Sequence, residues 1–509
     1  MLSKAHSAGL LGIDGFTVTV EADVSAGLPS TDIVGLGDAA VKESKERIRS
    51  GIKNSGYTFP AKKLIINLAP ASMRKEGTGY DLAIAVSVLA ATGQLPPPPE
   101  STMFIGELSL GGGINRVSGV LPMVISAYKA GFKNFFVPTE NAKEAAVIDG
   151  VNIYPADTLA NLCLCLRGEK KIEPFRVDVG ELFSEKADSL LDFSDVKGQE
   201  SAKRALEVAA AGNHNVLLIG SPGTGKTMLA QRMPSILPDL SFEEALEVSK
   251  IHSIAGTLPA DAPLITHRPF RNPHHTISSI GLSGGGSVPR PGELSLAHNG
   301  VLFLDELPEF KRDALEVMRQ PLEDGKVTIS RVNATLTYPC NLMLIASMNP
   351  CKCGYLGDPH RRCTCTPRQI SQYHSRISGP LLDRIDIQVE VANVEYDDLS
   401  RLEKAEPSSE IKKRVNEARQ IQRERYKKYG IYSNAQLPAG LINEFCRLGK
   451  RENETLKAAF ERLGLSARAH SRILKVSRTI ADLAGENDIS IRHIAEAIQY
   501  RNLDRKFFE

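Results

Sequence analysis

Gly220, Ser221, Pro222, Gly223, Thr224, Gly225, Lys226 and Thr227 follow the apolar run NVLLI and match the pattern G-x-x-x-x-G-K-[ST]. Glycines at this spacing let successive backbone N–H groups curl around a phosphate, and a helix starting at the lysine adds its positive end. Lys226 would reach the β- and γ-phosphates of a nucleoside triphosphate, and the Thr227 hydroxyl would hold Mg²⁺. ATP and Mg²⁺ are therefore the expected cofactors. A second apolar run, GVLFLDELPEF, ends in Asp305 and Glu306. Asp305 suits the Mg²⁺ shell, and Glu306 suits orienting or deprotonating an attacking water. An acidic pair closing a buried strand is otherwise hard to explain, because unpaired buried charge is costly. A third run, NLMLIASMN, ends in Asn349, whose amide would polarise that water beside the γ-phosphate.

Just behind Asn349, CKCGYLGDPHRRCTC places Cys351, Cys353, Cys363 and Cys365 within fifteen residues, half of the eight cysteines in the chain. Two C-x-C pairs can supply four thiolates to one tetrahedral ion, for which Zn²⁺ is the default in a reducing compartment. The intervening GYLGDPHRR holds the turn residues that let the chain reverse, and His360 is an alternative fourth ligand. Free thiols and a redox switch are the competing readings. With all four positions filled by protein, the metal would be structural, since no site is left open for water. Lys352, Arg361, Arg362 and Arg368 make the same stretch basic. Cys163, Cys165, Cys340 and Cys446 have no comparable grouping and read as core or surface residues.

These side chains need elements to hold them. At 509 residues the chain exceeds what one core usually serves, and 42% hydrophobic with 24% charged residues is a globular composition. The formal charge of +2 argues neither for nor against a nucleic-acid partner. The N-terminus carries no secretory pattern, and no run of about 18 apolar residues occurs, so a cytoplasmic protein without membrane contact is expected. Residues 1–168 alternate β-branched segments with helical patterns and read as an α/β domain, and the charged, aperiodic 169–194 reads as a linker. A second α/β pattern fills 195–393, with the cysteine clip at 351–365 inside it. A helical domain is expected over 394–509. Within it, SEIKKRVNEARQIQRERYKKYG is most simply a solvated helix face with i,i+4 ion pairs.

A phosphate loop followed by an acidic strand end and a polar strand end resembles the AAA+ ATPases. RPFRNPHHTISSIGLSGGGSVPRPGELSLAHNGVLFLDELPEF, SGPLLDRIDIQVEV and LSARAHSRILKVSRTIADL narrow this to the magnesium-chelatase branch. Over its whole length the chain resembles the ComM/YifB family of that branch. The resemblance implies a Lon-protease-like N-terminal α/β domain, a P-loop α/β core and a C-terminal helical lid. It makes Arg384, in LLDRID, the finger that reaches a neighbouring subunit's ATP, with Arg376 in HSRISGP as competitor. Arg468, in SARAHSR, takes the sensor-2 position at a helix start facing the γ-phosphate. An arginine acting in trans requires a ring, and a homo-hexamer is expected. In the N-terminal domain the stretch KEGTGYDLA puts Gly79 at the Lon serine position, and Leu121 falls at the lysine position. A Ser–Lys mechanism needs both groups, so no peptide cleavage is expected. That leaves ring assembly, DNA guidance or a purely structural part as the domain's role.

The same resemblance implies branch migration in homologous recombination and natural transformation, hence a DNA helicase acting on single-stranded, forked or branched DNA. Candidate DNA contacts are Arg290, His274 and His275 in the insert between Thr266 and Gly292, and Arg331 in the hairpin-like DGKVTISRVNATLTYP. Arg361 and Arg362 of the clip join them. Six subunits presenting even two cations each would bind phosphates strongly despite a neutral total. The alternative is a chaperone-like remodeller of a protein partner. Protein unfoldases usually present aromatic pore loops, whereas these inserts are basic and polar.

Overall fold

The computed structural model describes residues 1–184, 191–259, 261–286, 289–331, 334–394, 405–463 and 466–501. The chain divides into two compact units. The first comprises Met1–Lys186, Phe242–Thr266 and Ser330–Tyr338, and the second Ala187–Ser241, His267–Ile329 and Pro339–Glu509.

In the first unit the strands Ser30–Val34, Lys63–Ala69, Asp14–Ser25, Leu2–Leu11, Thr102–Phe104, Asn134–Pro138 and Asn152–Ala156 lie side by side in that order as one mixed sheet. Val18, Val20 and Ala22 are buried at every second position of FTVTVEA, the period expected of a strand with one face in the core. The helix Asp81–Ala91, apolar nearly all round, is buried along its whole length, as such a composition requires. Two stretches expected within the second domain belong to this unit instead, namely Phe242–Thr266 and Ser330–Tyr338. The helix Phe242–Ala255 buries Ala245, Val248 and Ile251. Its Ser253 hydroxyl donates to the buried Glu144 carboxylate at 2.5 Å, and the Arg116 guanidinium donates to the Leu258 carbonyl at 2.7 Å. A continuous sequence pattern cannot show such an excursion, because the residues that decide it are more than a hundred positions away in the chain.

The second unit is built on a five-stranded sheet in the order Phe270–Arg271, Val301–Leu304, Met343–Met348, Val216–Ile219, Ile387–Glu390. All neighbours are parallel, with Val216 opposite both Ile345 and Ile387 and Leu304 opposite Ala346. The three central strands are buried throughout, which explains their unbroken apolar runs. Because all five strands run the same way, the residues that follow them collect at one end, where α/β sheets place their ligands. The described C-terminal stretches are mainly helical: Ser408–Tyr426, Ala439–Phe445, Lys450–Leu463, Ala467–Leu483 and Ile491–Gln499. The charged helix Ser408–Tyr426 does more than face solvent. Ile411, Val415, Ala418, Gln422 and Tyr426 form a buried stripe, while Arg414 pairs with Glu207 at 2.5 Å and Arg425 with Asp482 at 2.6 Å. The stripe recurs every three to four residues but is thin, so charge dominates the composition and hides it. Among the described residues no helix is long and apolar enough to cross a membrane.

Candidate nucleotide site and cysteine clip

The turn after Val216–Ile219 takes the shape its glycines allow. Gly223 and Gly225 adopt left-handed φ of 85° and 88°. At Gly220 a Cβ would lie 2.4 Å from the Val391 carbonyl oxygen, so only glycine fits. Lys226 is buried, and its ammonium donates to the carbonyls of Gly220 at 2.7 Å and Ser221 at 2.9 Å and to Asn349 Oδ1 at 3.2 Å. Burial holds it below the usual lysine pKa, with Asp305 and Glu306 pulling the other way. Thr227 Oγ1 donates to Asp305 Oδ2 at 2.9 Å. Asp305 Oδ1 accepts the Ser347 hydroxyl and the Glu306 N–H. Glu306 holds a left-handed φ of 54°, unusual for a side chain of its size, and its carboxylate is largely exposed.

The fold thus gathers Lys226, Thr227, Asp305, Glu306 and Asn349 at the ends of three adjacent strands. The hard oxygens of Thr227 and Asp305 fit a Mg²⁺ ion, and the Gly220–Thr227 turn fits a triphosphate. Two neighbours were not anticipated in these roles. Ser347, wholly buried, anchors Asp305; the clue was a lone hydroxyl two places before Asn349, on the same face of an apolar strand. His275, expected at DNA, has its Nδ1 3.9 Å from Glu306 Oε2 and packs edge-on to Phe310.

The arginines separate. Asn215, just before the Val216 strand, donates from its side chain to the Arg384 carbonyl at 2.8 Å, so Arg384 lies at the opposite end of the strand from Gly220. Four residues at about 3.3 Å each put about 13 Å of strand between the two ends. The Arg384 guanidinium donates to the Arg319 and Pro380 carbonyls and pairs with Glu323. Arg468 stands at the same end, 3.0 Å from Asp383, and both arginines line a cleft of about 940 Å³ with Arg472 and Lys475. Instead of facing the phosphates of its own chain, Arg468 therefore shares the Arg384 side. Its helix is held there by Thr479, which bonds His214 at 2.8 Å just before the strand Val216–Ile219. Arg376 is elsewhere, paired with Glu309 at 2.9 Å on the turn that follows Glu306.

The four cysteine sulfurs lie within 4.8 Å of one another. Cys351 Sγ is 3.3 Å from Cys353 Sγ and 3.6 Å from Cys363 Sγ, and the latter two are 3.6 Å apart. A tetrahedral ion with Zn–S bonds of about 2.3 Å needs sulfurs about 3.8 Å apart, so the donor set fits Zn²⁺. His360 is not one of the group. Arg361 stacks over Tyr355 at 5.1 Å, and Arg362 is exposed. His274 is exposed and bonded to Thr276, while Arg290 is exposed on a two-residue strand paired with Gly284–Gly285. Arg331 ends the strand Lys326–Arg331, and its side chain lies outside the described ones. In the first unit, Leu121 is wholly buried on Val120–Lys129 and Gly79 offers no side chain, so neither position holds a nucleophile or a base.

A phosphate loop, an acidic strand end and a polar strand end on one parallel sheet, with a helical C-terminal region, define an AAA+ protein. Family models agree: residues 192–399 match "Magnesium chelatase, subunit ChlI", 20–141 match "Subunit ChlI of Mg-chelatase", and 405–501 match "Magnesium chelatase, subunit ChlI C-terminal". The chain is 45% identical over 507 residues to "Uncharacterized protein YifB" of Salmonella typhimurium, covering 99% of this chain and 98% of that protein. It is 42% identical over 509 residues to "Competence protein ComM" of Haemophilus influenzae, covering 99% and 98%. It is also 31% identical over 177 residues to "Lon protease 2" of Bacillus subtilis, 31% of this chain and 30% of that one. The chain belongs to the ComM/YifB family of magnesium-chelatase-like AAA+ ATPases, with a Lon-protease-like N-terminal domain that lacks the Ser–Lys dyad.

Proposed function

We propose that this protein is a hexameric, ATP- and Mg²⁺-dependent DNA motor of the cytoplasm that promotes branch migration in homologous recombination and natural transformation. The observation that carries the reading is the placement of Arg384 and Arg468. They stand a strand's length from their own Lys226, on a side that another subunit's nucleotide would complete. In this reading Lys226 exchanges its loop carbonyls for phosphate oxygens. Thr227 and Asp305 would hold the Mg²⁺ ion, which would neutralise phosphate charge. Glu306 and Asn349 orient the attacking water. Arg384 leaves Glu323 and neutralises charge in the neighbouring site, with Arg468 beside it.

Residues 1–168, joined by the excursions Phe242–Thr266 and Ser330–Tyr338, serve as a scaffold that does not cut peptides, 169–194 as linker, the rest of 195–393 as the motor core and 394–509 as its lid. The competence name of one relative and the exposed Arg290, His274 and Arg362 support DNA as the track. A purified-protein assay tests this: ATP hydrolysis with and without forked or four-way-junction DNA, with Glu306→Gln as control. Strong stimulation by DNA, abolished in the control and accompanied by strand displacement, is expected. Hydrolysis indifferent to every DNA form would sink the DNA reading and leave a protein partner as the substrate.

A further inference from the structure

The cysteine clip is built onto the phosphate loop. Between the two C-x-C pairs the chain has no helix or strand, and only Cys351 and Gly354 of this stretch are buried, so apolar packing does little to shape it. Yet its far end makes specific hydrogen bonds. Asp358 accepts the N–H groups of His360 and Arg361 at 2.9 Å on one oxygen, which stiffens the loop. Its other oxygen accepts the Ser221 hydroxyl at 2.7 Å and the Asn393 amide at 3.1 Å. The Ser221 hydroxyl, those N–H groups and Asn393 hold the carboxyl well below the usual carboxylate range, at about 2. Gly354, at φ 88°, sits so close to Pro222 that a Cβ would lie 2.6 Å from the proline Cδ. Ser221 and Pro222 are the second and third residues of the phosphate loop, and Asn393 closes the segment after the strand Ile387–Glu390. A cleft of about 300 Å³ lies among Ser221, Leu356, Asp358, His360 and Asn393.

We infer that the four-cysteine site is a Zn²⁺ clip that positions the nucleotide site. Closed on the metal, it presents Asp358 to Ser221 and Asn393 and Gly354 to Pro222, and these interactions hold the first turn of the phosphate loop in its binding form. Asp358 is a positioning residue that touches no phosphate. Without metal the four cysteines no longer tie the ends of the loop together, and its turns and the Arg361–Tyr355 contact hold it less firmly, so Asp358 loses its fixed place and the phosphate loop loses its outer wall. The metal thereby affects ATP affinity while standing apart from the chemistry. The inference rests on the ATP-site reading above.

The test measures zinc content and the dissociation constant of a fluorescent ADP analogue for the full chain, before and after metal removal with a thiol-specific mercurial and chelator. The same two quantities are measured for Asp358→Ala, Ser221→Ala and the double variant. One Zn²⁺ per chain is expected, with nucleotide affinity falling about tenfold on its removal and recovering when Zn²⁺ returns. Asp358→Ala should keep its zinc and show a similar fall in affinity, the size expected for one charge-assisted hydrogen bond. Its KM for ATP should rise more than its kcat falls. The double variant should be no worse than Asp358→Ala alone, since that change already removes the Ser221 hydrogen bond. Wild-type affinity in an Asp358→Ala protein that retains zinc would overturn the inference, as would a chain that takes up no Zn²⁺ and binds nucleotide normally. A zinc-loaded wild-type chain that binds no nucleotide would instead overturn the ATP-site reading, and this inference with it.

Discussion

At the scale of single residues, the acid pair is held by a short chain of hydrogen bonds from Thr227 and Ser347 to Asp305 and on to the Glu306 N–H. Glu306 is largely exposed at its tip, with His275 beside it, and constrained at its backbone. Glu306→Gln should keep nucleotide binding and lower hydrolysis by about 10²- to 10⁴-fold, the range for a lost general base. Filter-binding and phosphate-release assays on one preparation would separate the two effects. Ser347→Ala should lower kcat roughly tenfold with a smaller change in binding, because it frees Asp305 to turn. A different residue contributes a pH response. Asp81 is buried beside the Arg47 guanidinium at 2.9 Å, and burial pushes its carboxyl up to about 6 although Arg47 opposes. The unfolded value is about 3.9. Between the two the folded chain binds the extra proton, so the contribution of Asp81 to stability is full below about pH 4 and is lost as pH rises through about 6. Denaturation of wild type and Asp81→Asn compared from pH 4 to 7 should show wild type losing up to about 3 kcal/mol relative to the variant, then levelling. A constant difference would refute this.

At the scale of elements, the parallel sheet explains why, in the proposed ring, one chain does not complete its own site. Strand ends carry Lys226, Asp305, Glu306 and Asn349, while Arg384 lies by the strand beginnings with the helix residue Arg468 beside it, so the two sets lie at opposite ends of the sheet. Arg384→Ala should reduce hydrolysis by about 10³- to 10⁵-fold. Mixing Arg384→Ala with Glu306→Gln subunits should restore part of the activity, because the second variant supplies fingers and the first supplies intact acids. Mixtures as inactive as either parent would contradict action in trans. Arg376, paired with Glu309 on the turn after Glu306, should not complement in this way.

At the scale of the whole molecule, a formal charge of +2 hides how the cations are placed. Arg290 stands exposed on a two-residue strand and Arg362 on an irregular segment of the second unit, and Arg361 is half-committed to Tyr355. If a DNA strand passes these segments, Arg290→Ala and Arg362→Ala should each weaken binding of any sequence. Each should also reduce the slope of log affinity against log salt by about 1 for every phosphate that is no longer neutralised. Fluorescence anisotropy over a salt series measures this. An unchanged slope in both variants would remove them from the interface.

The chemistry of the nucleotide site was legible in the sequence because its parts are local. A glycine turn with Lys226, an acidic end after four apolar residues and an Asn after another apolar run each declare themselves within ten residues. The four cysteines did the same, and the structure brings their sulfurs together. The α/β character of the core followed from apolar runs separated by helical patterns, while the all-parallel order of its five strands came from the structure. What the sequence could not show depends on residues far apart in the chain: Ser347 on Asp305, His275 beside Glu306, and the clip's Asp358 on Ser221. The excursion of Phe242–Thr266 into the first unit and the placing of Arg468 on the Arg384 side are of the same kind. Residue type and spacing decide which groups can do chemistry. Which of them meet, and from which side, is decided by strand direction and the packing of helices over the sheet, and those are set by long-range packing that local periodicity does not record.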